Sequence, residues 1–313
     1  MTPAAAPVAP PAPRLAPSVM IPPPVAPSTR PVFQPTAVPG KQRVRIAVTG
    51  DDIMMRNPHM LPEIRERAVM LILAVNVDDT SDRVAILWGH DAQKAYATLV
   101  EQSLTLSQSE LLATVMRYVN RMTELLSSID LKRVCGLDSG GMFSFLRRTT
   151  KSIDTPEELE TARVELSQLV SLMHQSIDPL LALKEKIEAV STQTEQLGFD
   201  IEALAEAGAF VADHLSAKDP AKASFAQRFM ERSGSLTQSL AQIRSGGSVR
   251  EMQVEHPLRL ITAVQHATLV AMPGWLSSIT TILSMLRSAR KPNVTEVDEL
   301  GVGTRKIIEG LTV

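Results

Sequence analysis

The chain has 313 residues, with 32 basic and 34 acidic side chains and a formal net charge of −2. No global basic field is present to recruit nucleic acid or an anionic membrane, so a nucleic-acid partner is disfavoured. A single cysteine, Cys135, excludes an internal disulfide and a Cys/His zinc framework.

Aromatic residues make up only 4% of the chain. With Leu, Ala, Glu, Gln and Ser dominating the second half, helices packed by aliphatic side chains are expected. The first residues show no basic segment followed by an apolar core. The richest apolar run, Ala68–Val77, is far shorter than the roughly eighteen residues a membrane span needs. A cytoplasmic location is expected.

Residues 1–40 hold thirteen of the 21 prolines and no acidic side chain. Proline fixes φ and removes backbone donors, which predicts a disordered, polyproline-like tail. It serves either as a tether for a proline-binding module or as a passive spacer. Residues 41–89 are expected to form a connector. Val44, Ile46 and Val48 alternate there, so at most a short strand near 43–48 is expected. Pro62 starts a helix with Leu61 as its staple residue, and Asn76–Asp82 is a polar turn. From about residue 90 to 313 the period is helical. Ser107–Glu110 fits a capping box before Leu112, Val115, Val119, Met122, Leu126 and Ile129, which recur at steps of three and four.

A long helix over about 156–215 follows. Asp154 or Thr155 caps it, Pro156 takes its first position, and Glu157 and Glu158 complement the dipole. Its stripe runs from Leu159 through Leu166, Met173, Leu180 and Ile187 to Leu215, with a kink expected at Pro179 because the ring clashes with the carbonyl of Gln175. Asp219-Pro220 restarts a helix that the loop Ser245–Gly247 closes. Another helix covers 251–271, a break falls at Met272–Trp275, and the last twenty residues form a short frayed helix. The predicted fold is all-α, with long antiparallel coiled-coil-like helices.

The ordering of landmarks from Asp78 onward resembles the toxic-anion (tellurite) resistance family, TelA/KlaA, as a divergent or shortened member. The likeness lies in Asp82–Tyr96, where a short helix ends in an aromatic-Gly pair before a Gln-containing helix. It continues through the Gly/Phe/basic joint Gly140–Lys151, the long helix, Arg228–Arg244, and the Pro-x-Trp element in Met272–Ile279. The resemblance implies a helical domain over 90–313 and a place in a stress-resistance system.

No chemistry of its own is legible. His256 and His266 stand ten residues apart, not at the i, i+4 spacing of a helical ligand pair. Asp78, Asp79 and Asp82 lack the glycine and distal glutamate of a calcium loop. Neither Gly140-Gly141 nor Gly246-Gly247 is followed by Lys-Ser/Thr. Cys135 follows a helix near Lys132 and Arg133, which could lower its pKa somewhat, but it reads first as a structural or incidental thiol. No catalytic residue, metal, cofactor or small-molecule substrate is therefore expected.

The expected role is a non-enzymatic interaction or scaffold protein that binds protein partners, or itself, through helical faces. The candidate surface is Phe143, Phe145, Arg147, Arg148 and Lys151, with Trp275 beyond. Two aromatics among three cations suit a peripheral membrane surface, an acidic partner or nucleic acid. The alternative for 143–151 is a solvated helix start whose phenylalanines reach the core.

Overall fold

The computed structural model describes residues 45–76, 82–137 and 152–312. Among these the chain is all-helical, with a single isolated backbone bridge between Ile129 and Ile153. The proline-rich tail, most of the acidic turn and the joint Gly140–Lys151 lie outside the described residues. Residues 45–49 form no strand. Ile46 is buried and Val48 half-buried while Arg45, Ala47 and Thr49 are exposed, so the alternation comes from an extended segment lying on helices.

Thr49 caps α1 (Gly50–Arg56), where its backbone N–H donates to Asp52 Oδ2 at 2.7 Å and its Oγ1 accepts from the Asp52 N–H. Pro62 opens α2 (Pro62–Ala74) behind Leu61, and Ile64, Ala68 and Ile72 turn inward at a spacing of four. The short α3 (Asp82–Ile86) leads through Trp88-Gly89 into α4 (His90–Ser107). The expected connector over 41–89 is thus part of the core. Ile46, Ile53, Ile64, Ala68, Ile72 and Ala85 share one apolar cluster with Ala203, Ala207, Val211, Leu215, Phe225 and Phe229.

The capping box expected at Ser107–Glu110 does not form. The Ser107 hydroxyl donates back to the Ser103 carbonyl, so α4 continues through it, and Ser109 begins α5 (Glu110–Ser128) without a side-chain cap. The apolar stripe of α5 is as expected, except that Ile129 lies beyond the helix end and Leu125 joins the buried face. A single turn, α6 (Leu131–Val134), precedes the undescribed joint.

Thr155 caps α7 (Pro156–Gln175), with its Oγ1 accepting from the Glu158 N–H. The long stripe then breaks at Ser176, and α8 (Ile177–Lys218) resumes it. The break sits three residues before Pro179. Without an N–H at 179 the Gln175 carbonyl has no i+4 donor, and the ring displaces it. The run of 42 residues in α8 spans roughly 63 Å at 1.5 Å per residue. Its first turns, with Ile177, Leu180, Leu183 and Ile187, share a core with α5, α7, α11 and α12, while its second half packs on α2 and α9.

Asp219 and a 3₁₀ turn at Pro220–Lys222 reverse the chain into α9 (Ala223–Ser245), which runs antiparallel to α8. Gly198 faces Ile243, and further along Gly208 faces Ser233. Three arginines strap this hairpin and its neighbours: Arg56 pairs with Glu206 and Asp213, Arg67 with Asp200, and Arg244 with Glu202 at 2.7 Å.

The expected loop at Ser245–Gly247 does close α9, as a single turn residue, whereas the break expected at Met272–Trp275 is absent as an interruption. Gly246 is one right-handed turn residue joining α9 to α10 (Gly247–Gln265). A π segment, His266–Ala271, then passes directly into α11 (Met272–Arg287). Pro273 explains the π turn: it cannot donate, and widening the turn lets the Met272 N–H reach back to the Ala267 carbonyl instead.

The expected fraying at the end is also overturned. Asn293 and Glu296 form a capping box on α12 (Val294–Leu311), and Val297, Leu300, Thr304, Ile307 and Leu311 are buried along it. Ala289, at φ 55°, marks the tight turn between α11 and α12.

Candidate interaction face

Of the surface residues singled out above, Phe143, Phe145, Arg147, Arg148 and Lys151 lie outside the described residues. The described residues that flank them are tied together: Asp130 N–H donates to the Ile153 carbonyl, and Ile153 N–H to the Ser128 carbonyl. Trp275 is not a surface residue. It is 4% exposed, and its indole N–H donates to Thr304 Oγ1 at 2.8 Å, so it joins α11 to α12 from inside. Cys135 is likewise buried. Burial pushes its thiol above the ordinary value, so Lys132 and Arg133 do not activate it. No group of three or more His, Cys, Asp or Glu side chains is placed to hold a metal among the described residues.

The structure brings together two landmarks that the sequence leaves far apart. The Trp88 indole N–H donates to the Leu204 carbonyl at 2.8 Å, and its ring meets Phe229 edge-on with centroids 5.3 Å apart. Arg232 donates twice to the Trp88 carbonyl, at 3.1 and 2.9 Å, and once to Gln93 Oε1. Gln93 in turn donates to the hydroxyls of Ser235 and Ser239. Gly208 lets the indole lie directly against α8, and Gly89, at φ 69°, turns the chain over Leu236. The arrangement is a packed polar knot in which the indole N–H, the Gln93 amide and two guanidinium nitrogens are engaged. It fixes α4 on the α8–α9 hairpin.

A surface with unspent capacity lies on α11 and α12. From Leu260 to Leu286 the chain carries no Asp, Glu, Lys or Arg. Within Pro220–Arg287 an 18-residue window reaches a mean hydropathy of 1.5, yet only 28% of it is buried. By length and composition that run could cross a bilayer; hydroxyl residues spread through it hid this from a search for unbroken apolar stretches. Trp275, Ile279, Ile282 and Leu283 face the core, while Leu269 and Val270 are 57% and 68% exposed, and Ser277, Ser278, Thr280, Thr281 and Ser284 face outward.

Beside this face α11 and α12 enclose an open groove of about 560 Å³. Trp275, Ile282, Leu300 and Ile307 floor it. Its rim is charged only on α12, by Glu296 and Glu299 toward one end and Lys306 toward the other, with His266 beside Gly310 at that second end. Among the described residues neither Glu299 nor Lys306 takes part in an ion pair. This surface was missed in the sequence because the last twenty residues read as a short frayed helix. The signal that could have found it is the Asn293–Glu296 box followed by Val297, Leu300, Thr304, Ile307 and Leu311 at steps of three and four.

Compared with known proteins, the chain matches no family model, no curated protein and no solved structure.

Proposed function

We propose that the protein is a non-enzymatic helical interaction protein that docks partners through the uncharged face of its π segment and α11. One observation carries this reading: the helical stretch from Leu260 to Leu286 has no charged side chain, and its outward positions, Leu269 and Val270 among them, are left exposed by the rest of the fold. An uncharged face of hydroxyl side chains with Leu269 and Val270 exposed beside it desolvates at low cost and suits contact with a partner. The buried, deactivated Cys135 supports a role without thiol chemistry. The sequence landmarks that resemble toxic-anion resistance proteins support a role for that docking in a stress-resistance system of the cytoplasm.

The test is complementation of a host lacking the protein, challenged with tellurite, using wild type, Leu269→Glu with Val270→Glu, and Cys135→Ser. Both glutamates sit on exposed positions, so the variant folds, and circular dichroism checks this. Wild type and Cys135→Ser protect, and the face variant does not. Full protection by the face variant removes this reading. Flotation of the wild type with anionic vesicles in place of protein partners redirects it to a membrane surface.

A further inference from the structure

We infer that the partner for the α11–α12 surface is a second copy of this chain, with the two α12 helices packed antiparallel about a two-fold axis near Gly303. The inference rests on the interaction reading above and concerns the groove beside that face, to which it gives a specific occupant.

The residues of α12 that line the groove on its outer side are Glu296, Glu299, Gly303 and Lys306, at steps of three, four and three, and Gly310 follows four residues on beside His266. Such spacing is the seam along which a second helix lies. Glu299 and Lys306 are seven residues apart, two helical turns or about 10 Å along the axis. Their midpoint falls between Val302 and Gly303. An antiparallel copy whose two-fold axis passes there brings each Glu299 opposite the partner's Lys306, twice over.

A two-fold interface requires self-complementarity, which this pair of opposite charges supplies. Both charges are exposed and unpaired among the described residues, so each is available for this pairing. At the axis there is no side chain to hold the helices apart. A Cβ on Gly303 would have only Trp275 Cδ1 near it, at 4.0 Å. The adjoining wall of the groove, Ala271, Ser278 and Thr281, is uncharged and places no like charge against the arriving helix. Two α11–α12 hairpins joined in this way make a four-helix bundle.

Light scattering on the full-length chain over a range of concentrations tests this. Wild type is expected at about twice 34.1 kDa. Glu299→Lys alone and Lys306→Glu alone each place like charges across the axis and weaken the dimer at least ten-fold, with helix content unchanged. Mixing the two variants restores a dimer, because a chain with two lysines on its seam then faces a chain with two glutamates. The double variant, in which the two charges are exchanged, also restores it.

A wild type that stays monomeric overturns the inference, as do single variants that dimerise like wild type. So does a mixture that stays monomeric, since it removes the antiparallel register. A monomeric wild type whose stress protection is still abolished by the Leu269→Glu, Val270→Glu pair removes this inference and leaves the interaction reading standing.

Discussion

Replacing Gly208 with alanine is expected to destabilise the protein, although the same change usually strengthens a helix interior. In α8 the added Cβ would sit 2.9 Å from Trp88 Nε1 and 3.2 Å from its Cδ1. The indole has little room to give. Its N–H is committed to the Leu204 carbonyl, its ring is packed on Phe229, and its own carbonyl is held by Arg232. The ring can stay and strain its neighbours, at about 1–3 kcal/mol. It can instead move and leave a desolvated N–H unpaired, at about 1–3 kcal/mol. These are alternatives and do not add. Against them stands a gain of about 0.5–1 kcal/mol for alanine over glycine in a helix. The net expectation is a loss of about 1–2 kcal/mol. Gly234 in α9 and Gly301 in α12 are matched controls, because nothing lies within 4 Å of either added Cβ and both have ordinary helical φ. Alanine there should raise stability by about 0.5–1 kcal/mol. Urea unfolding followed by far-ultraviolet circular dichroism reads all three. If Gly208→Ala is as stable as wild type, or Gly301→Ala loses as much as Gly208→Ala, the packed contact beneath Trp88 is refuted.

Trp275→Phe removes the donor to Thr304 but leaves that hydroxyl donating to the Leu300 carbonyl, so urea unfolding should show a loss of only about 0.5–1.5 kcal/mol. Cys135 should resist a thiol reagent at mildly alkaline pH in the native protein and react at once in urea, because burial both shields it and raises its pKa; prompt native labelling would contradict its place in the core. His214 is held below its ordinary value of 6.5, first by burial and then by Lys218. The folded state thus prefers the neutral ring, and its contribution is complete above pH 6.5 and lost as pH falls from there toward the lower folded value. His214→Gln should flatten that part of the urea-midpoint profile, and an unchanged slope would exclude His214 as its source.

Much of the architecture is written locally and was therefore legible. Apolar residues at steps of three and four fix the buried faces of α5, α7 and the start of α8, because helical geometry alone puts them on one side. Thr155-Pro156 and Leu61-Pro62 mark helix starts through backbone chemistry that needs no tertiary partner. The polar knot was not legible. Trp88, Gln93 and Arg232 converge only because α4 packs on the α8–α9 hairpin, and nothing near Trp88 in sequence names Leu204 as its acceptor. The capping pattern at Ser107–Glu110 misled for the same reason: Leu106 packs against the core from the last turn of α4, and that contact outweighs an isolated cap.

Proline shows where local reading ends. Pro179 and Pro273 both lack a donor and both crowd the carbonyl four residues back, so the sequence expects an interruption at each, a kink at Pro179 and a break at Met272–Trp275. At Pro179 the helix breaks at Ser176, one turn upstream, and a new stripe continues into the same core. At Pro273 the chain widens into a π segment and stays helical. What differs is the packing on either side. Met272 and Trp275 are anchored in the core just beyond the defect, while Ala267 and Thr268 are buried just before it. Four buried residues on both flanks of one turn leave no freedom to bend away, so the turn absorbs the missing bond by widening. The residues on its outer side, Leu269 and Val270, are left exposed. The face proposed for docking is thus the outer surface of the turn that accommodates Pro273.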